Sequence, residues 1–517
     1  MVHRDVGAAP GPAYNSPVTH AEELRRTASH RISPELFIFG NLAISVPLAY
    51  ALNLWQDEAY TLHTTGASLS YAFNAAIGFE QNAPLYFLII NLLRHFGDGV
   101  FFLRLFSVLC IAATVGLVPL LCRRYLPNSN ATLVTAVVAF NPFIIYAAVD
   151  LRAYGLIVLL SALLLLTYHD AFLSESPGVG PAAAYAFCVA AALYTQYYLA
   201  FLIAAQGITL LLFHRRAFWR FLLAGAIGAA AFAPMVAIVP GQVQNFKEGF
   251  AAPSLPHTLA VLGGIIFRYV LPLPFAHAKL VYAGLALAGA VALVILRPSL
   301  KSTGSGPIVV MTGCAAVLFA AGAYAGGVHI LDRHAASLYV PATLSVFALI
   351  ASLPAESRAR VGLGWCLAVV LLSLASLGRT YASGANSGDW IRVTRYLEGN
   401  ERPGEPIAVF EAENALPLQY YYRGPNRIVA IPEAVDYHRY DVTAFVVRSA
   451  DQLESAMPRQ ARMWLVTAGA CNSANIAFGC TTLERYVCEH YRVDSDVEFH
   501  GSRVRLLAAK PPTRCLR

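Results

Sequence analysis

Long apolar runs follow one another from about residue 36 to residue 377 of this sequence. Most contain about 15 to 20 residues, and a helix needs about 20 to cross the hydrocarbon core of a bilayer. Of the 517 residues, 57% are hydrophobic and 13% are charged, against about 25% charged in soluble domains. We assign spanning helices to residues 36–54, 100–121, 131–147, 154–172, 182–195, 198–213, 218–239, 280–296, 308–325, 336–353 and 361–377. The sequence therefore predicts a polytopic α-helical membrane protein with about eleven transmembrane helices.

Basic residues cluster in alternate connections between these helices. They are Arg25, Arg26, Arg31, Arg123, Arg124, His214, Arg215, Arg216, Arg220, Arg297, Lys301, Arg358 and Arg360. All of them fall on one side of the membrane if the helix count is right. Because Lys and Arg accumulate in cytoplasmic loops, we predict that this side is the cytoplasm. Residues 1–33 lack the apolar core of a cleaved signal peptide and are predicted to form a cytoplasmic tail.

The opposite side of the membrane receives two long loops, 55–99 and 240–279. Each loop contains an apolar stretch, at 83–93 and 259–273, that is too short to span comfortably. We expect these stretches to lie in the membrane interface or to re-enter the membrane. The chain thus divides into the tail, a transmembrane domain at 34–380 and a C-terminal domain at 381–517.

After Arg379 the composition and the pattern of the sequence change: charged residues become frequent, and short apolar strands alternate with helical stretches. We predict strands at 407–410, 428–431, 444–447, 463–466 and 504–507, and helices at 416–422 and 483–491. This pattern is typical of a small α/β domain. Four cysteines in this part, Cys471, Cys480, Cys488 and Cys515, fit either disulfides of open pairing or reduced thiols.

The acidic pair Asp57-Glu58 directly follows the first apolar run. Carboxylates are costly inside hydrocarbon, so acids at the exit of a membrane helix often mark function. The alternative is a solvated helix end at the water interface.

Further polar residues recur at the same side of the helices. They are Arg104, Asp150, Arg152, Tyr154, Gln196, Tyr197, Arg268, Asp332, Arg333, His334 and Tyr339. Each alone has a plain explanation: an arginine can snorkel to the interface, and an Asp–Arg pair can be a loop salt bridge. Their repeated placement on one side predicts a shared cavity that faces outward.

Such a cavity suits a phosphate-bearing lipid substrate. Arginine forms paired hydrogen bonds with phosphate, and a carboxylate can take the proton of an attacking hydroxyl. Asp57 as the base, with Arg333 or Arg268 at the phosphate, would meet these needs. No dense basic and aromatic patch is present, so we expect no nucleic-acid partner.

The order of these motifs resembles the bacterial integral-membrane GT-C glycosyltransferases, of the family 39-like protein-mannosyltransferase and aminoarabinose-transferase type. The matching stretches are 54–60, 82–86, 103–107, 150–154 and 332–341. The resemblance implies a polyprenyl-phosphate sugar donor, inverting transfer and a periplasmic active site in the inner membrane. It also implies that Asp57 is the catalytic carboxylate, that Glu58 assists it and that Arg333 lies near the donor phosphate.

Two departures leave parts of this expectation open. Asn82-Ala83-Pro84-Leu85 and Thr195-Gln196-Tyr197 lack histidines that the family often has at these places. A divalent metal cofactor and the sugar therefore stay undecided, and the acceptor could be an envelope lipid, a polysaccharide or a protein. The alternative function is a transporter or flippase of lipid-linked glycans. Transporters often contain internal repeats and broken helices with charges near the middle of the membrane, and this sequence shows no convincing repeat.

Overall fold

The computed structural model describes residues 33–175, 177–249, 253–274, 284, 306–384, 388–458, 460–469, 471–473 and 476–511. The described part of the chain up to residue 384 is largely helical. Its helices are α1 Pro34–Ala51, α2 Gln56–Thr64, α3 Leu69–Gly78, α4 Leu85–Leu93, α5 Val100–Tyr125, α6 Ala131–Phe140, α7 Pro142–Val149, α8 Tyr154–Tyr168, α9 Val179–Thr195, α10 Leu199–Phe213, α11 Phe218–Ala231, α12 Ala233–Val236, α13 Val239–Gly249, α14 Leu255–Val270, α15 Gly306–Gly326, α16 Tyr339–Ala351 and α17 Ala355–Tyr381. A 3₁₀ turn, Asp332–Leu338, leads into α16.

Among the described residues, six helices are long and apolar enough to cross a membrane, or up to eight if each of two bent pairs is one span. The bends are 54° between α6 and α7 and 68° between the α11 and α12–α13 segments. The predicted fifth and sixth spans are present as the shorter apolar helices α9 and α10. The predicted span at 280–296 lies outside the described residues except for residue 284, so the count of about eleven stays a prediction.

The break between α6 and α7 has a clear local cause. Asn141 caps α7 by accepting a hydrogen bond from the N–H of Phe143 at 3.0 Å, and Pro142 occupies the first helical position. Proline fits there because its missing N–H is not needed. The Asn141 amide also donates to the carbonyl of Tyr269 at 2.8 Å, which joins this bend to the end of α14.

The predicted loop 55–99 folds into the three short helices α2, α3 and α4. Pro84 immediately precedes α4, the short apolar helix predicted at 83–93. Asp57 and Glu58 occupy the first turn of α2. Carboxylates are favourable there because the unpaired N–H groups give a helix N-terminus partial positive charge.

Five strands after residue 390 form a mixed sheet. They are β1 Ile407–Phe410, β2 Ile428–Ala430, β3 Arg462–Ala468, β6 Tyr491–Phe499 and β7 Ser502–Ala509, and their order in the sheet is β2-β1-β3-β7-β6. A separate two-stranded ribbon joins β4 Asn472–Ser473 to β5 Ile476–Ala477. β1 is parallel to β2 and β3, whereas β7 is antiparallel to β3 and β6.

Helices cover both faces of this sheet. Side chains of α18 Trp390–Asn400 and α19 Ala415–Tyr421 pack with Ile407 and Val409 on one face. Side chains of α20 Ala450–Ala456 and α21 Cys480–His490 pack with Ala408 and Phe410 on the other. Alternate residues of a strand point to opposite faces, which explains why all of β1 is buried.

Two sequence predictions for this part need correction. Residues 444–447 do not form a strand, because Val442–Phe445 is a 3₁₀ turn whose first residues are capped by Asp441. Strand β6 was not predicted, and its residues are mostly exposed.

Of the four cysteines, Cys471 is bonded to Cys480, and Cys488 is also in a disulfide. Cys515 lies outside the described residues.

Candidate active site

The end of α1 is held by Arg104, which reaches it from the first turns of α5. Its Nη1 donates to the carbonyls of Ala49 and Leu52, both at 2.9 Å, and its Nη2 donates to the carbonyl of Asn53 at 3.0 Å. Carbonyls at a helix C-terminus lack partners within the helix, and a cation there also complements the helix dipole. Arg104 is 1% exposed, so these bonds fix the point at which the chain turns from α1 into α2.

Glu58 faces the same arginine from α2. Its carboxylate accepts from Arg104 Nε at 2.7 Å and from Nη2 at 2.5 Å, and it is fully buried. It also accepts from the N–H of Leu151 at 2.8 Å and from the N–H of Trp55 at 3.3 Å. Both oxygens are therefore occupied by protein donors, and the carboxylate joins α2 to α5 and to the turn after α7.

The Asp57 side chain points away from Arg104 and forms an ion pair with Arg333. Its Oδ2 lies 3.2 Å from Arg333 Nη1, and both side chains remain partly accessible, at 17% and 27%. The Arg333 guanidinium also lies over the ring of Trp55, with its carbon 5.4 Å from the ring centroid. A cation over an indole is attracted by the ring quadrupole. Asp57 and Arg333 therefore form a partly accessible pair of opposite charges beside the Trp55 ring.

Trp55 connects this pair to Asp150. The indole N–H donates to Asp150 Oδ1 at 2.9 Å, and Asp150 is buried at the end of α7. Asp150 Oδ2 is also buried and has no hydrogen-bond partner among the residues that the structure describes. Asp150 is thus hydrogen-bonded to the indole over which Arg333 lies.

Arg152 holds the backbone of Asp57. Its Nη1 donates to the Asp57 carbonyl at 3.1 Å, to the Thr61 hydroxyl at 3.0 Å and to Glu80 Oε2 at 2.9 Å. Glu80, which the sequence analysis did not single out, follows α3 and has a nearly buried side chain. Its position between α3 and the predicted interfacial helix gave no local signal for this pairing.

The remaining candidate residues lie around the 3₁₀ turn Asp332–Leu338 and at the end of α9. Arg268 pairs with Asp332 through two hydrogen bonds of 3.1 and 2.5 Å, and both side chains are about half exposed. Tyr269 donates to the Asp332 carbonyl at 2.5 Å, which fixes the residue just before Arg333. The pairing leaves Arg268 bound to a carboxylate in the 3₁₀ turn.

Three further candidates are His334, which lies in this turn, Tyr339, which follows it, and Tyr154. His334 Nδ1 is 3.3 Å from the N–H of Leu331, within the same turn. Tyr339 is fully buried and packs against Tyr269. Tyr154 stacks on Tyr146, with their ring centroids 5.8 Å apart.

Gln196 and Tyr197 lie at the end of α9. The Tyr197 hydroxyl donates to Gln242 Oε1 at 2.8 Å, and the Gln242 amide donates to the carbonyl of Ile77 at 2.8 Å. This chain of hydrogen bonds joins α9, α13 and α3. Gln196 Oε1 is buried and has no hydrogen-bond partner in the described part of the chain. The structure shows no direct contact of either residue with Asp57.

Side chains from the part of the chain after residue 390 also contact α2 and the residue before it. The Tyr60 hydroxyl donates to Glu413 Oε1, and the N–H of Leu54 donates to the Tyr421 hydroxyl at 2.8 Å. The pKa of Glu413 is raised to about 7, mainly by burial; the Tyr60 hydrogen bond acts to lower it, and the nearby Asp57 acts to raise it. Sequence reasoning missed Glu413 because it is more than 350 residues from Asp57 along the chain.

Two of the carboxylates near Asp57 are already engaged by protein donors in this arrangement. Both oxygens of Glu80 accept from Arg152, and Glu58 is saturated by Arg104 and backbone N–H groups. Among the residues that the structure describes, no group of three or more His, Cys, Asp or Glu side chains is placed to hold a metal.

Comparison with known proteins agrees with the fold that the sequence resemblance implied. ArnT from Cupriavidus metallidurans in the apo state superposes with a TM-score of 0.52 and 13% identity, over 95% of this chain and 98% of that one. The chain has the GT-C fold. ArnT bound to undecaprenyl phosphate gives a TM-score of 0.51 with 13% identity, over 91% of this chain and 97% of that one. An oligosaccharyltransferase of Archaeoglobus fulgidus with a tethered acceptor peptide gives 0.43 with 9% identity, over 89% of this chain and 73% of that one. No protein-family profile matches the sequence, and no curated protein sequence matches it.

Proposed function

We propose that this protein is a membrane glycosyltransferase that moves a sugar from a polyprenyl-phosphate donor to an acceptor of the bacterial envelope. The observation that carries the proposal is the accessible pair of Asp57 and Arg333, 3.2 Å apart. A base and a phosphate-binding cation are adjacent there, in a GT-C fold that in ArnT accompanies bound undecaprenyl phosphate. The acceptor is an envelope lipid, polysaccharide or protein, and membrane lipids surround the helices.

The pair supports a single inverting displacement. The acceptor hydroxyl oxygen attacks the anomeric carbon from the side opposite the phosphate, and a new glycosidic bond forms as the bond to the phosphate oxygen breaks. The hydroxyl proton passes to the Asp57 carboxylate, which acts as a general base. The bonding electrons leave with the polyprenyl phosphate, whose additional negative charge Arg333 stabilises.

The neighbouring residues take supporting roles in this proposal. Glu58 and Arg104 are fully engaged with the protein, so we assign them to positioning α2 rather than to contact with substrate. Arg152 holds the Asp57 carbonyl, and Glu80 in turn pairs with Arg152. Arg268 and Asp332, whose side chains are about half exposed, are proposed to contact the donor or acceptor, as are Tyr154, Gln196, Tyr197 and His334. Tyr339 is fully buried, so its proposed role is to pack against the turn that carries Arg333.

We further propose that the site opens to the periplasm. The clusters of Lys and Arg that set the predicted orientation place residues 1–33 in the cytoplasm of a multi-pass inner-membrane protein. Asp57, the loops 55–99 and 240–279, and the domain at 381–517 then lie on the periplasmic side. Exposed apolar side chains such as Phe39, Leu109 and Leu371, each more than 60% accessible, are suited to contact lipid.

Arg333→Ala is expected to lower kcat/KM by about 100- to 1,000-fold, because one charge-stabilising group is lost from the transition state. Initial rates of polyprenyl phosphate release measure this. Arg268→Ala is the matched variant, since its guanidinium already pairs with Asp332, and it should lose less than Arg333→Ala. A greater loss in Arg268→Ala would transfer the phosphate-binding role to Arg268.

The function itself is tested with purified protein in liposomes that contain synthetic undecaprenyl-phosphate sugars. Incubation with envelope extract should produce free undecaprenyl phosphate and, by mass spectrometry, acceptors heavier by one sugar residue. The transporter alternative predicts movement of intact donor across the bilayer without acceptor and without cleavage. Donor movement with no cleavage for any sugar or extract would overturn the proposal.

A further inference from the structure

Aromatic side chains of the C-terminal domain pack on α2 and on the end of α3. We name Tyr60, His63, Phe79, Tyr437 and Tyr440 the aromatic bridge. The His63 and Tyr437 rings are stacked with their centroids 3.3 Å apart, and Phe79 lies 5.3 Å from Tyr437. Tyr60 lies 5.1 Å from Phe79 and 6.1 Å from Tyr440. Such ring pairs stabilise a contact beyond the area that they bury.

Glu413 lies at the polar centre of this bridge. A single carboxyl oxygen, Oε1, accepts hydrogen bonds from the Tyr60 hydroxyl of α2 and, at 3.2 Å, from the Tyr440 hydroxyl of the C-terminal domain. Glu413 is 8% exposed, so loss of its oxygen would leave two hydroxyls without an acceptor in a buried place. Buried polar groups without partners are costly.

We propose that Glu413 is a positioning residue that fixes the orientation of α2, and with it the Asp57 carboxylate, relative to Arg333. This inference rests on the proposed function of the Asp57 and Arg333 pair. Tyr60 lies on the same helix as Asp57, one turn further along. The C-terminal domain therefore acts as part of the catalytic scaffold, and the transmembrane part alone lacks one of the groups that hold the base.

The start of α2 is anchored to the same domain. Leu54, just before this helix, donates its N–H to the Tyr421 hydroxyl at 2.8 Å. The Asn53 side chain accepts from the N–H of Ile391 at 3.0 Å. Contacts from Tyr421 and Ile391 before α2, and from Glu413 along it, limit both translation and rotation of the helix. A displacement of about 1 Å in a catalytic group can cost about 100-fold in rate.

The charges around Glu413 decide which substitution preserves the contact. The groups that face it are Tyr60 and Asp57 of α2, Tyr440, Arg333 and Glu411. Both the neutral and the ionised carboxyl offer Oε1 as an acceptor to the two hydroxyls. Glutamine offers the same carbonyl oxygen without a titrating proton, so it separates a positioning role from acid–base chemistry.

The experiment compares Glu413→Ala with Glu413→Gln in the liposome transfer assay. Glu413→Ala should lower kcat by about 10- to 100-fold with less than a threefold change in the donor KM. Glu413→Gln should keep kcat within about threefold of the wild type, with the same pH profile from pH 6 to 8. Loss of activity in both variants, or a kcat unchanged in Glu413→Ala, would overturn the positioning role.

Tyr422→Phe is the matched control, because Tyr422 donates a comparable bond to Glu401 at 2.6 Å within the C-terminal domain. It should leave kcat unchanged. Hydrogen exchange gives a readout that needs no activity: α2 amides should exchange faster in Glu413→Ala than in the wild type or Tyr422→Phe. Unchanged exchange in α2 would contradict the inference. If wild-type protein transfers no sugar, the proposed function fails while the exchange result still decides whether Glu413 holds α2.

Discussion

Asp57→Asn is expected to abolish detectable sugar transfer while the protein still folds and inserts into the membrane. Asparagine has nearly the same size and keeps a carbonyl oxygen toward Arg333, but it cannot take the proton of the acceptor hydroxyl. General-base catalysis contributes about 100- to 10,000-fold in rate. Asparagine also removes the negative charge beside Arg333. We therefore expect kcat to fall by at least the upper part of that range, with donor binding less affected.

The measurement is initial-rate release of polyprenyl phosphate, with size-exclusion profiles and thermal melts to verify folding. Asp98→Asn is the matched control, because Asp98 belongs to the same loop 55–99, is 65% exposed and pairs with Arg94. It should transfer sugar at the wild-type rate. A folded Asp57→Asn protein with more than a tenth of wild-type activity would remove Asp57 from the role of base.

Which acid of the Asp57-Glu58 motif stays accessible could not be predicted from the sequence. Neighbouring positions of a helix point about 100° apart. Asp57 consequently faces Arg333 and solvent, whereas Glu58 faces the interior and Arg104. The sequence indicates that an acidic pair follows a membrane helix, but which acid stays accessible depends on how α2 packs against α5. That packing has no signature within the motif itself.

Glu80 and Glu413 were missed for a related reason. Both are functional candidates only because of residues that are distant in sequence, Arg152 for Glu80 and Tyr60 for Glu413. The helix order, by contrast, follows from apolar runs that are local, so the membrane part could be outlined from the sequence.

The strand predictions failed where local signals are weakest. A four-residue apolar run at 444–447 cannot be distinguished from a turn, and β6 is a mostly exposed edge strand with little apolar content.

Arg104→Ala is expected to destabilise the folded protein more than replacement of a surface arginine such as Arg124. It leaves the Glu58 carboxylate buried without a counter-ion and leaves the carbonyls of Ala49, Leu52 and Asn53 without their donor. Removing one partner of a buried ion pair typically costs about 3 to 5 kcal/mol. We expect a lower yield of monodisperse protein and a lower apparent melting temperature in detergent.

Arg124→Ala provides the comparison, because Arg124 pairs with Asp170 near the surface, where the two side chains are 35% and 31% exposed. A pair of this kind contributes about 0 to 1 kcal/mol, so the melting temperature should change little. The double variant Arg104→Met with Glu58→Leu tests the cause. Without an unpaired charge it should melt above Arg104→Ala, although the α1 carbonyls still lack a donor. If Arg104→Ala melts like the wild type, the ion pair does not hold α2 in place. The accessible position of Asp57 must then depend on Arg152 and on the contacts that α2 makes with residues after 390.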